Sequence, residues 1–133
     1  MTNTQASIHR RWEQRSTPAH VANHIDSLLR DSARHAAHRD TEAAWRLLED
    51  AHILSQPWVR PHLRVHVAML SLGWSQRDRA EVVGQLARLI VAGPGSALGR
   101  YPAGNTGRAN MSAFKPIPIR PDLASILEDA DNP

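Results

Sequence analysis

The sequence predicts an all-α domain of two antiparallel helical hairpins, a four-helix arrangement of the tetratricopeptide-like kind. Apolar residues recur every three or four positions through four segments, which is the spacing of one helix face. Short polar or proline-containing breaks separate these segments, and short connections make neighbouring helices antiparallel. After residue 93 glycine and proline become frequent, which predicts an irregular C-terminal wrap and then a short terminal helix.

At 133 residues the chain is expected to fold as one domain, and changes in its pattern mark four regions. The N-terminal region is polar, the next is helical, the third is rich in glycine and proline, and the last returns to a helical pattern. These regions are an N-terminal arm (1–16), a helical domain (17–93), a Gly/Pro-rich wrap (94–121), and a short C-terminal helix with its tail (122–133).

The ends of the first two helices are predicted from residues that favour helix termini. Thr17 stands where an N-cap is expected, and Pro18 suits the first position of the first helix. Asp40 or Thr41 is expected to cap the second helix. Pro57 is expected to stop it, because proline lacks the N–H that a continuing helix needs.

The later helices are predicted from the same kinds of signal. The third is expected over roughly residues 58–72. Ser75 is expected to start the fourth, because Asp78 follows it three residues on, as in a capping box. That helix is expected to end at the AGPG stretch, and a last short helix is predicted in DLASILED, directly after Pro121.

The helical region contains an internal repeat. The segments RDTEAAWRLLEDAHILSQP and RDRAEVVGQLARLIVAGP both open with Arg-Asp, and both close on a proline. Each follows another predicted helix, and the spacing of the two copies is near the period of tetratricopeptide arrays. The first copy is similar to the second helix of such a repeat, which supports the prediction of helical hairpins.

Composition excludes several kinds of site. The chain has no cysteine, so any metal site must use nitrogen and oxygen ligands. No apolar run resembles a secretory signal or approaches the ~20 residues of a membrane span, so we expect a cytoplasmic protein without a membrane partner. Only Lys115 among the 16 basic residues is a lysine, and arginine suits phosphate or nucleic-acid contacts. The arginines are scattered among acids, which favours a solvated surface over a nucleic-acid partner.

Three histidines and a glutamate are expected to converge at the turn between the second and third helices. Glu49 and His52 lie three positions apart and share one face of the second helix. His62 and His66 lie four apart and share one face of the third. Because these helices are antiparallel, His52 and His62 meet at the turn, with His66 one turn deeper. The set suits a divalent transition metal (zinc, iron, nickel or copper), and the opposing interpretation is a group of structural, hydrogen-bonded histidines.

Two further groups of residues are candidates for the surroundings of this site. Glu81 and Gln85 lie four apart on the fourth helix, and they either hydrogen-bond the histidines or form an ordinary boundary face. The segment GRYPAGNTGRA, residues 99–109, has good turn formers and matches no phosphate-binding fingerprint. It is either a structural turn or a lid that folds over the histidine end and brings Asn105 or Arg108 to a bound ligand.

Taken together, AWRLLEDAHILSQ, HLRVHVAML, GQLARL, GRYPAGNTGRA and PIPIRPDL resemble a family of small bacterial proteins classed as a domain of unknown function. The resemblance covers roughly residues 40–127 and follows the pattern AHxxxQ…HxxxH…GRxPxGNTGRA. It implies a compact cytoplasmic protein, and it carries no activity over to this chain.

Three hypotheses of function follow from the sequence. The leading one is binding of a divalent transition metal by His52, His62 and His66, with Glu49 either as a fourth ligand or in contact with the ligands. Such a site would serve storage, traffic or chemistry on a bound water. The alternative is a helical-repeat interaction module without metal, which binds a protein partner or a second copy of the chain. A third is an arginine-mediated binder of phosphate or nucleic acid. No catalytic residue is assigned, because there is no cysteine nucleophile and no Ser/His/Asp order, so whether the protein is an enzyme stays open.

Overall fold

A computed structural model of the protein describes residues 16–98 and 100–130, without the side chains of residues 93, 94, 96 and 97. The described residues form five helices and no strand, so the predicted all-α fold class is confirmed. Apart from Ser16, the predicted N-terminal arm lies outside the described residues, as do the last three residues of the predicted tail. The helices are α1 (Ala19–Ala37), α2 (Thr41–Ser55), α3 (Val59–Ser75), α4 (Arg79–Ala97) and α5 (Pro121–Glu128).

The α1–α2 and α3–α4 connections have the same construction. Arg39 and Arg77 adopt left-handed φ angles of 61° and 57°. Each is followed by an aspartate, Asp40 or Asp78, whose side chain accepts the N–H three residues on, at 3.2 and 3.0 Å. The backbone N–H of each aspartate donates to the carbonyl five residues earlier, at 2.9 and 3.0 Å. The Arg-Asp pairs of the sequence repeat therefore mark two equivalent turns, each closing one helix and capping the next.

Two predicted helix starts are wrong. α1 begins at Ala19, and no side chain caps it. Pro18 has an extended ψ of 140° and occupies the cap position itself, so Thr17 lies one residue too early to serve as the N-cap. Ser75 belongs to the end of α3 and does not start α4, because Asp78 supplies the cap one turn later.

The C-terminal end of α4 also differs from the sequence prediction. The helix continues through the AGPG stretch to Ala97. Pro94 removes only one backbone donor there, close to the end of the helix, where several carbonyls lack a helical partner in any case. The N–H of Arg100 donates to the Gly95 carbonyl at 2.7 Å, so the following loop satisfies one of those carbonyls.

The apolar core is formed by residues of α1, α2, α3 and α5, and α4 joins the fold by packing on α3. α1 packs on α2, α3 packs on α4, α2 and α3 pack on each other, and α5 packs on α1 and α2. The tetratricopeptide-like arrangement of these pairs stays a prediction. None of the described helices combines the length and the apolar character needed to cross a membrane. The residues of the core include Val21, Ile25, Trp45, Leu48, Leu54, Trp58, Val65, Met69 and Leu123.

Between α4 and α5 the described chain contains neither helix nor strand, and side-chain contacts fasten it to the helices. Gln56, at the end of α2, donates to the Pro102 carbonyl at 2.9 Å and accepts from the Gly104 N–H at 3.1 Å. Further along, Arg120 forms a two-point ion pair with Asp50, at 3.1 Å for both contacts. These contacts bring the loop over the end of α2 that carries His52.

Candidate metal centre

The three predicted histidines form one buried cluster. His52 lies near the end of α2, and His62 and His66 lie one turn apart in α3. Their Nε2 atoms form a nearly equilateral triangle with sides of 3.0, 3.1 and 3.2 Å. No more than 5% of any of these residues is exposed. The convergence that the helical spacing predicts is therefore present, at distances suited to binding one metal ion.

The protons on two of the imidazoles can be placed from their partners. Nδ1 of His52 lies 2.7 Å from the backbone carbonyl oxygen of Asn105, which can only accept, so this nitrogen carries the proton. Nδ1 of His66 lies 2.7 Å from Oε1 of Gln85. The Gln85 amide nitrogen donates to a carboxylate and to a backbone carbonyl, which fixes the amide orientation and makes Oε1 the acceptor. In both neutral rings Nε2 is therefore an unprotonated acceptor aimed at the cluster.

Burial keeps the imidazoles uncharged. It lowers the pKa of His62 to about 3, with repulsion from His66 adding to the effect. Burial also lowers the pKa of His66. The pKa of His52 is held well below its ordinary value of 6.5, first by burial and then by the two neighbouring imidazoles. Near pH 7 the cluster therefore contains three neutral rings.

Hydrogen bonds among the three Nε2 atoms cannot satisfy all of them. The contact between Nε2 of His52 and Nε2 of His66 joins two acceptors with no proton between them. His62 can bring at most one proton to the triangle, and one proton cannot serve both neighbours equally. By contrast, a point about 2.0–2.1 Å from all three nitrogens lies about 1 Å outside their plane, with N–metal–N angles of roughly 100°. A single cation there would accept all three lone pairs.

The loop that follows α4 meets His52 through its backbone. Asn105 is only 1% exposed, and its side chain holds the loop in shape. Its Nδ2 donates to the carbonyls of Ser112 and Lys115, at 2.8 Å each, and its Oδ1 accepts the Gly107 N–H at 2.9 Å. With the side chain occupied in this way, the Asn105 carbonyl is the group that orients the imidazole.

Two glycines with left-handed φ angles allow the loop to pack closely against His52. Gly104 and Gly107 have φ angles of 74° and 79°. A Cβ atom on Gly104 would stand 1.9 Å from the Ile117 carbonyl oxygen, and one on Gly107 would stand 2.7 Å from Cδ2 of His52. Glycine is therefore required at both ends of the Gly-Asn-Thr-Gly segment. A side chain there would collide with neighbouring atoms, and the left-handed backbone also disfavours other residues.

The substitution Gly107→Ala is expected to lower the free energy of unfolding by about 1–3 kcal/mol and to displace the His52 ring. The cost combines a left-handed backbone with a methyl group pressed against an imidazole. Urea unfolding in the presence of a chelator measures the stability, and a zinc titration measures the effect on the cluster. Unchanged values of both would contradict this account of the loop.

A second polar cluster lies beside the histidines and contains the other predicted candidates. Nε of Arg108 donates to Glu81 at 3.1 Å and Nη1 donates to Glu49 at 3.2 Å, while its guanidinium stands 3.8 Å from the ring centroid of Trp45. Glu81 also accepts from Gln85 at 2.7 Å. Burial raises the pKa of Glu49, and the hydrogen bond from Arg108 opposes that rise. Glu49 was predicted either as a fourth ligand or as a residue that contacts the ligands. The structure places it with Arg108 and outside the group formed by the three histidines.

A cavity of about 250 Å³ adjoins the cluster, and the three histidines form part of its wall. Arg88 of α4 and Arg100 of the loop also line it. Arg88 was not predicted as a site residue, although it lies three positions after Gln85 and so shares a helix face with it. Likewise, no role was predicted for Gln56, because no pattern in the sequence indicates its two hydrogen bonds to the loop backbone.

The fold and this geometry define an all-helical protein with a buried three-histidine cluster beside a cavity. The chain belongs to the family described as "Protein of unknown function (DUF3703)", which matches residues 14–127. No curated protein and no solved structure matches the chain. The family description assigns no activity to its members.

Proposed function

We propose that the protein binds one divalent transition metal ion through the Nε2 atoms of His52, His62 and His66. The observation that carries the proposal is the triangle of Nε2 atoms, 3.0–3.2 Å apart. Two of these atoms are held as unprotonated acceptors by partners on Nδ1. Such partners are typical of metal-binding histidines, because they fix both the tautomer and the orientation of the ring.

The ligand set favours metals of intermediate softness. Three imidazoles without a thiolate suit Zn²⁺, Cu²⁺, Ni²⁺ or Fe²⁺, and Zn²⁺ is the probe of choice because it has no geometric preference of its own. Three protein ligands leave at least one coordination position for water or another molecule. That arrangement is typical of sites that bind or activate a small molecule, whereas structural zinc sites are usually closed by four protein ligands.

The proposal is tested by the amount of zinc that the protein retains. Protein loaded with zinc and then desalted is expected to hold about one ion per chain, as measured by elemental analysis. The variant His66→Ala is expected to hold much less than one, because two imidazoles bind far more weakly than three. His24→Ala is the matched control, since His24 is an exposed histidine of α1 outside the cluster.

Retention of the metal by His66→Ala would contradict the proposal, as would loss of metal to the same degree in both variants. Circular dichroism separates loss of the metal from loss of the fold. The variant His62→Gln provides a second measurement should His66→Ala unfold, since it removes another of the proposed ligands.

A further inference from the structure

The cavity beside the histidine cluster has a one-sided charge. Arg88 and Arg100 line it, and no aspartate or glutamate is among its described lining residues. Arg88 donates to the backbone carbonyls of Gly84, Arg108 and Met111, at 3.3, 2.9 and 2.6 Å. Within the described part of the chain, neither lining arginine forms an ion pair with a carboxylate. Among the described residues, the guanidinium of Arg88 is thus held in place by neutral carbonyls and makes no direct ion pair, while Glu81 acts on it only at longer range.

A metal on the histidines would add to this positive charge. Three neutral imidazoles contribute no negative charge, so a divalent cation would keep both of its charges. The combined field of the metal and the arginines favours an anion in the adjoining cavity. A carboxylate suits both the metal and the arginines, because its oxygens bind transition metals and its planar shape matches a guanidinium.

The remainder of the cavity wall is largely apolar. Val91, Ala92, Pro102, Ala113 and Phe114 contribute to it. Its volume of about 250 Å³ is near the lower end for small-molecule sites. An apolar wall of this size is better matched by a compact carbon skeleton than by a bare inorganic anion, because burying apolar surface is favourable.

We infer that the cavity binds a small organic carboxylate, an inference that rests on the proposed metal function. Its carboxylate group takes the open coordination position on the metal and faces Arg88. Its apolar part lies against the wall formed by residues such as Val91, Ala92 and Phe114.

The inference is tested with protein loaded with Co²⁺, whose visible absorption reports the coordination of the metal. Titration with benzoate is expected to change this spectrum and to saturate. Acetate is expected to bind several-fold more weakly, since it lacks most of the apolar surface, and benzyl alcohol is expected to have no effect, since it lacks the charge. Calorimetry is expected to show that the metal-free protein binds benzoate at least about tenfold more weakly than the cobalt-loaded protein does.

Variants of the cavity arginines test the contribution of charge. Arg88→Gln is expected to weaken benzoate binding by about tenfold, and the more exposed Arg100→Gln by roughly threefold. Arg30→Gln is the matched control, because it removes one positive charge from an exposed position of α1 outside the cavity. Arg88 also donates to loop carbonyls, so its substitution could disturb the metal site, and the cobalt content of each variant is therefore measured first. Arg100→Gln removes a positive charge without breaking those hydrogen bonds.

The outcomes separate this inference from the function on which it rests. Absence of cobalt from the wild-type protein overturns the metal proposal and the inference together. Stoichiometric cobalt with a spectrum unchanged by benzoate overturns the inference alone. Equal binding of benzoate and benzyl alcohol, or equal binding with and without metal, also overturns it, because the carboxylate would then not be bound at the metal.

Discussion

Adding zinc to the metal-free protein at pH 7.5 is expected to raise its melting temperature by about 10 °C when free zinc exceeds the dissociation constant a hundredfold. In the metal-free protein, two unprotonated Nε2 atoms face each other at 3.2 Å inside the fold. Their repulsion, together with the burial of unsatisfied acceptors, opposes folding. A cation converts these contacts into coordination bonds, and because the unfolded chain does not hold the three rings together, binding stabilises the native state.

Thermal unfolding followed by circular dichroism, in a chelator and then in zinc, measures this effect. The wild type and His24→Ala are expected to show the full increase, whereas His62→Gln is expected to show little of it. An equal increase in all three proteins would mean that zinc acts elsewhere on the chain. An unchanged melting temperature in the wild type, at zinc concentrations that saturate other three-histidine sites, would argue against a metal role for the cluster.

The metal-free protein is expected to lose several kcal/mol of unfolding free energy as the pH falls from about 7 towards 3. Burial lowers the pKa of His62 from 6.5 to about 3 in the folded protein. Between about pH 6.5 and pH 3 the His62 imidazole is protonated in the unfolded chain and neutral in the folded chain. Acid therefore favours unfolding throughout this interval. With about 1.4 kcal/mol for each pKa unit, His62 alone would account for about 4–5 kcal/mol, and the lowered pKa values of His52 and His66 act in the same direction.

Urea unfolding at a series of pH values, in a chelator, measures this dependence. The decrease is expected to be smaller in His62→Gln, which cannot take up a proton at this position, and unchanged in His24→Ala. A free energy of unfolding that stays constant between pH 7 and pH 4 would show that the cluster is accessible to protons in the folded state. The description of the cluster as three buried, neutral imidazoles would then be incorrect.

Local patterns in the sequence were sufficient for the fold class and for part of the site. Helical spacing placed His62 and His66 on one face, and the break at Pro57 brought His52 towards them. These are interactions between near neighbours along the chain, so periodicity and turn signals contain the information. The repeated Arg-Asp pairs likewise mark turns whose geometry depends on only a few consecutive residues.

The rest of the site depends on contacts that no local pattern records. Arg108 was noted as a residue of the glycine-rich loop, but nothing in its neighbourhood indicated that it joins Glu49 to Glu81. Helical spacing predicted only that Glu49 shares a face with His52, whereas its observed partner Arg108 is determined by how the loop folds back. The end of α4 was also misplaced, because glycine and proline predict a break that the packed helix tolerates near its terminus.

The hydrogen bond from His52 to the Asn105 carbonyl has a consequence for the order of events during synthesis. The two residues are separated by 53 positions, and the acceptor is made after all three histidines. A nascent chain that ends at α4 therefore already contains every imidazole, but His52 still lacks the group that selects its tautomer. The ring is fixed in the tautomer that the proposed metal binding needs only when the loop has emerged and closed. The last quarter of the chain therefore sets the protonation of a histidine in its middle.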